Sequence, residues 1–459
     1  MNNEMPIRTV TVELLRAGPA HNQFLSPMTQ YLGICGDSGA GVVSQPYEHA
    51  TFLRSFRMLR YEGDGDGVKR DRLGQMRDTG VDMAKILGAV PGLPGALNAH
   101  SAGGAETLVH LRMMLTASEL ALLPFELSKT PIGPNSSDDS WLTLQTRVPV
   151  CMTRRSRNVS VRGDSWPVRP RILFIAADPA NTPFEEHRAT LLNEIKPFLF
   201  HEQYDSKVSW DGRREQFGDL LTIIKDVSFE DILAECGENQ YTYIHILAHG
   251  AADPNAEGIA YSLMLRNASG GDVDMLSGER MACAFVRIVS GTMQRPAAVT
   301  LATCDGGNVG PNVMVPVASL ANALHVAGIP LVVASQFPLS KVGSIVMVRN
   351  FYRDMLWGEN PWILLHRIRY DLHARLTGST AHDWASLVFY EALPDDLKAQ
   401  FEAVRYHQGK LALSVAFDRI DRTMREVATL DDSESTQQYV KGLWKKLPMD
   451  GEFRAECLG

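Results

Sequence analysis

Two stretches of the 459-residue chain end an apolar run in a residue that can do chemistry. HILAHG (His245–Gly250) supplies His249, and LATCDGGN (Leu301–Asn308) supplies Cys304, 55 positions later. A thiol attacks a carbonyl carbon as thiolate, so it needs a base or a cation beside it. The oxyanion that forms then needs hydrogen-bond donors. His249 is the candidate base. Gly250 carries no side chain, so its amide can turn toward a substrate carbonyl, and the amide of Cys304 is a second donor. Gly306 and Gly307 let the backbone turn away sharply and leave a thiol open at a strand end. Either residue alone reads as an ordinary buried side chain. Their occurrence together, each where a buried strand stops, points to nucleophilic catalysis.

The elements that must position this pair are legible as a change of pattern along the chain. RILFIAAD (Arg171–Asp178), YTYIHILAHG (Tyr241–Gly250), AAVTLATC (Ala297–Cys304) and PLVVASQFP (Pro330–Pro338) are continuous apolar runs without alternation, as in strands covered on both faces. Between them lie helical periods: EEHRATLLNEIKPFL, SFEDILAEC and SLANALHVAG, the last ending in a glycine suited to a left-handed cap. SIVMVRNFYRDMLWG and WILLHRIRYDLHARL predict two further amphipathic helices. Strands alternating with helices argue for a parallel sheet flanked by helices on both faces. Catalytic groups in such sheets gather at the carboxyl ends of strands. Before SWPVRPR (Ser165–Arg171), which reads as a linker, residues 1–164 form a mixed α/β region. TVTVELL and LVHLRMML predict strands there, and DTGVDMAKILGAV a helix. Residues 165–393 form the main α/β unit, and 394–459 read as a charged helical segment.

Composition excludes several classes. With 45 Lys+Arg against 53 Asp+Glu the net charge is -8, so no cationic surface for direct nucleic-acid binding or for acidic lipid is expected. The six cysteines, at 35, 151, 236, 283, 304 and 457, show no CxxC spacing; neither a zinc cage nor a disulfide framework is expected. No metal and no cofactor is called for. No signal peptide and no membrane span is read, which predicts a cytoplasmic protein. GDSG (Gly36–Gly39) resembles a serine-protease motif but reads as a glycine turn. EGDGDG lacks the closing glutamate of a calcium loop, Leu73 standing at its twelfth position. Arg154, Arg155 and Arg157 read as a solvated basic face.

HILAHG and LATCDGGN resemble the histidine and cysteine motifs of the CHAT family of caspase-like cysteine peptidases. Caspases place their histidine roughly 50 residues before the cysteine. ALLPFEL (Ala121–Leu127) is similar to that family's Leu-Pro-Trp-Glu-Leu segment, with Phe125 in place of Trp. FIAADP, AGIPLVVASQFPLS, NFYRDMLWGENPWILLHRIR and DWASLVFYEAL follow in the family's order, so the resemblance runs from about Leu108 to Leu393. It implies a caspase-like fold and a Cys-His dyad, with Cys304 as nucleophile and His249 as general acid/base. It also implies an oxyanion hole from the amides of Gly250 and Cys304. HNQFLSP and RMLRY resemble the opening of stand-alone CHAT proteins of bacterial conflict and antiphage defence systems. That implies a protein substrate and an activating or regulatory protein partner that releases an idle enzyme. The N-terminal region has a composition compatible with a degenerate second copy of the fold.

Substrate-contacting residues are expected among Asp178, Asp305, Ser335 and Gln336. Asp178, at the end of the first core strand, either lines the specificity pocket or serves as a turn residue in ADPANTP. The family's Cys-Glu-Thr-Gly run is here Cys304-Asp305-Gly306-Gly307. Ala302 stands where metacaspase-like enzymes carry the acid that selects basic residues, so that preference does not transfer. The competing reading is a scaffold or sensor that keeps the fold and hydrolyses nothing.

Overall fold

The computed structural model describes residues 5–16, 24–55, 66–99, 107–133, 136–159, 166–198, 207–210, 212–252, 261–268, 273–290, 292–303, 318–337, 339–375, 382–394 and 396–427. Thirteen strands join in one sheet. They are β1 (Ile7–Arg16), β2 (Gln30–Cys35), β3 (Ala40–Ser44), β4 (Leu108–Leu115), β5 (Val150–Ser156), β6 (Ile172–Ala176) and β7 (Lys207–Trp210). They continue with β8 (Arg214–Phe217), β9 (Leu221–Lys225), β10 (Tyr243–Ala248), β11 (Ala298–Thr303), β12 (Leu331–Ser335) and β13 (Leu387–Glu391). The spatial order is β3-β2-β1-β4-β5-β13-β12-β11-β10-β6-β9-β8-β7.

The unbroken apolar runs are explained by helices on both sides. Phe174, Leu247 and Val333 face one core with the helices α1 (Asp66–Gly88), α2 (Phe184–Ile195), α6 (Lys341–Leu356) and α7 (Pro361–Arg375). Their neighbours along the strands, Leu173, Ile175, Ile246, Leu301 and Val332, face a second core. That core is closed by α3 (Phe229–Glu238), α4 (Gly278–Phe285) and α5 (Ala318–Val326). Local chemistry sets the helix starts. Ser228 and Asp231 form a reciprocal capping box before α3. Ser340 caps α6, its hydroxyl accepting from the Gly343 amide at 2.9 Å and donating to Asp383 at 2.5 Å. GDSG is the turn between β2 and β3, with Gly36 and Gly39 at φ of 52° and 83°, where a Cβ would be strained.

Strand direction divides the sheet. β6, β9, β10, β11 and β12 run parallel to one another. β1, β4, β5 and β13 also run parallel to one another. The two blocks meet at the antiparallel pair β12–β13 and therefore point opposite ways. The expected boundary at 164/165 is not a break in the packing. β5 lies beside β13 with Tyr390 opposite Arg154, and one apolar core takes residues from both sides of the boundary. The hairpins β2–β3 and β7–β8 extend the sheet at its two ends and were absent from the sequence reading. The charged C-terminal segment does form a helix, α8 (Leu397–Val427), within the described residues. It seats Phe401 against Trp166 at 5.0 Å, and Gln408 Nε2 donates to the Val168 carbonyl at 2.7 Å.

The seam is pinned by a buried ion pair. Arg154 is fully buried, which corrects its reading as part of a solvated face; Arg157 is more than half exposed. The Arg154 guanidinium donates to both carboxylate oxygens of buried Glu126, to the carbonyls of Ala121 and Leu123, and to Gln336 Oε1 at 3.1 Å. Glu126 belongs to ALLPFEL, so that segment is a clamp of backbone carbonyls and one carboxylate around a cation from β5. Removing one partner leaves an uncompensated buried charge. Glu126→Gln is therefore expected to lower unfolding free energy by about 3–5 kcal/mol. A urea-denaturation midpoint shifted by an amount equivalent to less than about 1 kcal/mol would show that the pair does not hold the seam.

Candidate active site

The spacing of 55 between His249 and Cys304 is a sheet register. β10 and β11 pair in parallel from Tyr243↔Ala298 to Ala248↔Thr303, and the ladder stops one residue before each candidate. In a parallel pair, residues in register lie side by side. Cys304, Asp305, Gly306 and Gly307 lie outside the described residues. On the other flank, β10 and β6 pair from Tyr243↔Ile172 to Leu247↔Ala176, and the Ala177 amide still donates to the Leu247 carbonyl at 2.9 Å. Two further steps in the same register bring Asp178 beside His249. The ladder between β11 and β12 ends earlier, at Thr300↔Val333, so these strands part toward the same edge.

His249 is nearly buried, at 8% exposure, and its Nε2 has no hydrogen-bond partner among the described residues. Among the described residues, an acid approaches it at 3.6 Å, from Asp178 Oδ2 to Nε2. The His249 carbonyl accepts from the Met264 amide at 2.9 Å, which anchors the backbone directly after the strand. Gly250 opens a short strand, Gly250–Ala252, that pairs antiparallel with Tyr261–Leu265, Gly250 opposite Leu263. Hydrogen-bonded and unbonded pairs alternate in such a ladder. With His249 and Met264 bonded, Gly250 occupies an unbonded pair, and its N–H is directed away from the neighbouring strand.

Asp178 is a turn residue and a neighbour of the histidine at once. Its Oδ1 accepts from the Asn181 amide at 3.2 Å, and its Oδ2 accepts from Asn181 Nδ2 at 2.9 Å. The Ser335 and Gln336 side chains, expected to meet substrate, are covered. Ser335 is fully buried. Gln336 accepts from Arg154, donates to the Leu122 carbonyl, and gives its amide to the Ser386 carbonyl at 2.6 Å. Gln336 therefore ties the strand end to ALLPFEL and the seam.

Beneath the site runs a buried polar chain that sequence reasoning did not find. His187 of α2 meets His245 of β10 at 3.0 Å, and His245 meets the Thr300 hydroxyl at 2.7 Å. Thr300 meets Tyr352 at 3.0 Å, and His187 meets Ser344 at 3.0 Å. Ser344 spends its hydrogen on the Lys341 carbonyl at 2.9 Å, so it accepts from His187 Nε2. His187 Nδ1 then accepts from His245 Nε2, and His245 Nδ1 accepts from Thr300. Both rings are neutral, and the chain ties α2, β10, β11 and α6 together below His249. The signal in the sequence was slight: His245 and Thr300 are polar residues within otherwise apolar strands. Three of the four described cysteines are poor candidates for a nucleophile: burial pushes the Cys151 and Cys236 thiols up to about 12 and raises that of Cys35. Cys283 is exposed. No cluster of three or more His, Cys, Asp or Glu side chains suited to a metal occurs among the described residues.

A mostly parallel sheet between two helical layers, with one antiparallel strand beyond β12 and the histidine and cysteine motifs closing neighbouring strands, is a caspase-like α/β architecture. A family model for the CHAT domain matches residues 79–392, and the chain belongs to that family of caspase-like cysteine peptidases. The match begins within α1, well before the expected boundary at 165. No curated protein matches the chain. No described helix is long and apolar enough to cross a membrane.

Burial gives the core histidines a common pH signature. It pushes His110 down to about 3, and His187 and His325 down to about 4; His245 also lies well below its ordinary value. The unfolded chain binds these protons near pH ~6.5, the folded chain only well below it. Stability from this source is thus complete above pH ~6.5 and is lost as pH falls toward about 4, at up to ~1.4 kcal/mol per pH unit for each histidine. Thermal midpoints should fall between about pH 7 and about pH 5, and less steeply in His325→Gln, which removes one such site. A pH-independent midpoint, or an unchanged slope in His325→Gln, would contradict this account.

Proposed function

We propose that this protein is a cysteine endopeptidase that cleaves selected protein substrates with Cys304 as nucleophile and His249 as general acid/base. The observation that carries the reading is the β10–β11 register, which ends at Ala248↔Thr303, directly before the two residues. Membership of the CHAT family supports the reaction class.

In the proposed reaction His249 takes the Cys304 proton. The thiolate attacks the scissile carbonyl carbon, and the oxyanion is met by the amides of Gly250 and Cys304. His249 then gives its proton to the leaving amine as the C–N bond breaks, leaving a thioester on Cys304. Water, losing a proton to His249, attacks the thioester and releases the new carboxyl terminus and the thiol. The direction of the Gly250 N–H, away from its paired strand, favours its part in this scheme. Asp305 is proposed as a neighbour of the substrate by its place in the chain alone. Action in a bacterial defence or conflict system, in the cytoplasm, with an activating protein partner, rests on the resemblance of the opening run.

Cys304→Ala is expected to abolish cleavage while leaving the fold intact, and His249→Ala to reduce it by at least about 10²-fold. The check is proteomics of new protein N-termini in cells expressing wild-type or variant protein. N-termini generated equally by wild type and Cys304→Ala would refute the assignment.

A further inference from the structure

We infer that Asp178 is a positioning residue for His249: its carboxylate holds a proton on Nε2 and leaves Nδ1 as the nitrogen that exchanges protons with thiol and substrate. This deepens the reading of His249 as the acid/base and rests on it.

Three observations carry the inference. The β6–β10 register, continued by the bond from Ala177 to Leu247, delivers Asp178 and His249 to adjacent positions past the ends of their strands. The juxtaposition therefore follows from ladder geometry. Next, His249 Nε2 is buried and makes no hydrogen bond among the described residues, while Asp178 Oδ2 lies 3.6 Å from it. A buried ring nitrogen left unsatisfied is unfavourable. A small closure would give the nitrogen an acceptor, and catalytic hydrogen bonds are commonly long before substrate binds. Finally, the carboxylate is fixed. Asn181 donates to both of its oxygens, at 3.2 Å and 2.9 Å. Thr182 Oγ1 donates to the Asp178 carbonyl at 2.5 Å, just before α2 begins. The turn requires Oδ1 to take the Asn181 amide; Oδ2 is the oxygen that faces the histidine.

An imidazole has two tautomers, and the bond made by one nitrogen selects the role of the other. A carboxylate accepts only, so beside Nε2 it selects Nε2–H and makes Nδ1 the base. It also stabilises the imidazolium formed when the thiol is deprotonated, as the aspartate does in a Ser-His-Asp triad. This gives Asp178 a task different from lining the specificity pocket: the oxygen a basic substrate side chain would need already faces His249.

The test uses full-length protein labelled with ¹⁵N-histidine, with the His249 signals assigned by their loss in His249→Gln. Two-bond ¹H–¹⁵N spectra report which ring nitrogen carries the proton. Wild type is expected to show a protonated Nε2. Asp178→Ala should lose that preference. Asp178→Asn, whose carboxamide keeps the turn acceptor and can turn Nδ2 toward the ring, should favour the Nδ1–H form. In parallel, the iodoacetamide alkylation rate of Cys304, read by mass spectrometry, should fall at least about 10-fold in Asp178→Asn, with Cys283 unchanged. An unprotonated Nε2 in wild type, or tautomer and alkylation rate unchanged in both variants, would overturn the inference. If wild-type Cys304 reacts no faster than Cys283, the nucleophile assignment fails, and the tautomer result still decides the role of Asp178.

Discussion

The antiparallel contact between β12 and β13 is the constraint on which the rest depends. It joins two blocks of parallel strands that point in opposite directions. The carboxyl ends of β6, β10, β11 and β12 therefore share one edge, and those of β1, β4 and β5 lie at the other. A catalytic constellation assembled from strand ends can draw on only one block. The N-terminal strands cannot contribute by the same route. They cover the outer edge of β13 instead, which would otherwise present unpaired backbone groups. A family match that begins within α1 agrees with this architecture, since the CHAT-domain sheet is incomplete without strands from the first third of the chain.

Burying Arg154 and Glu126 at this seam is an unusual choice energetically. Apolar replacements of a buried ion pair are often neutral or stabilising, so strength alone does not account for it. Geometry offers a better reason. Five hydrogen bonds fan from one guanidinium to Ala121, Leu123, Glu126 and Gln336. These partners are spread over ALLPFEL and the residue directly after β12. An apolar contact would tolerate sliding; a planar fork bonded through all three of its nitrogens fixes register and angle together. ALLPFEL therefore acts at a distance, through Gln336, on the strand end next to the opening between β11 and β12.

Much of this was legible in the sequence because parallel strands buried on both faces leave an unmistakable trace, apolar runs without alternation. RILFIAAD, YTYIHILAHG, AAVTLATC and PLVVASQFP each became a central strand, and helices filled the spaces between them. The 55-residue offset carried more information than spacing alone, because it equals the β10–β11 register. What stayed hidden depends on partners remote in sequence. Arg154 looked like one of three surface arginines, since nothing local announces a carboxylate 28 positions earlier. Asp178 looked like a turn residue and is one, yet its second oxygen faces a ring 71 positions away, an offset that only the β6–β10 ladder makes visible. His245 and Thr300 stood within apolar strands and His187 in a mixed helix, with no sign that they touch.

That hidden polar chain clarifies how a site built on strand ends is kept accurate. Residues just past a ladder lose the hydrogen bonds that fix those within it, so their precision must come from the last bonded residues and what lies beneath them. Below His249 the support is His245, four residues earlier in β10, where it pairs with Thr300 in the β10–β11 ladder. A hydrophobic residue at 245 would pack, but it would not lock the shear between β10 and β11, because dispersion contacts change little over a small slide. The bond from His245 to Thr300 crosses between those two strands, and the bonds from His187 and Tyr352 prevent α2 and α6 from moving independently of them. A neutral histidine suits this position because it both donates and accepts within one plane. Protonation would replace the Nδ1 acceptor with a second donor and reverse the Thr300 bond. The low proton affinity that burial imposes on His245 is therefore part of the device: it keeps one arrangement of donors and acceptors, and hence one alignment of the two strand ends, over the pH range in which a thiol and an imidazole can work together.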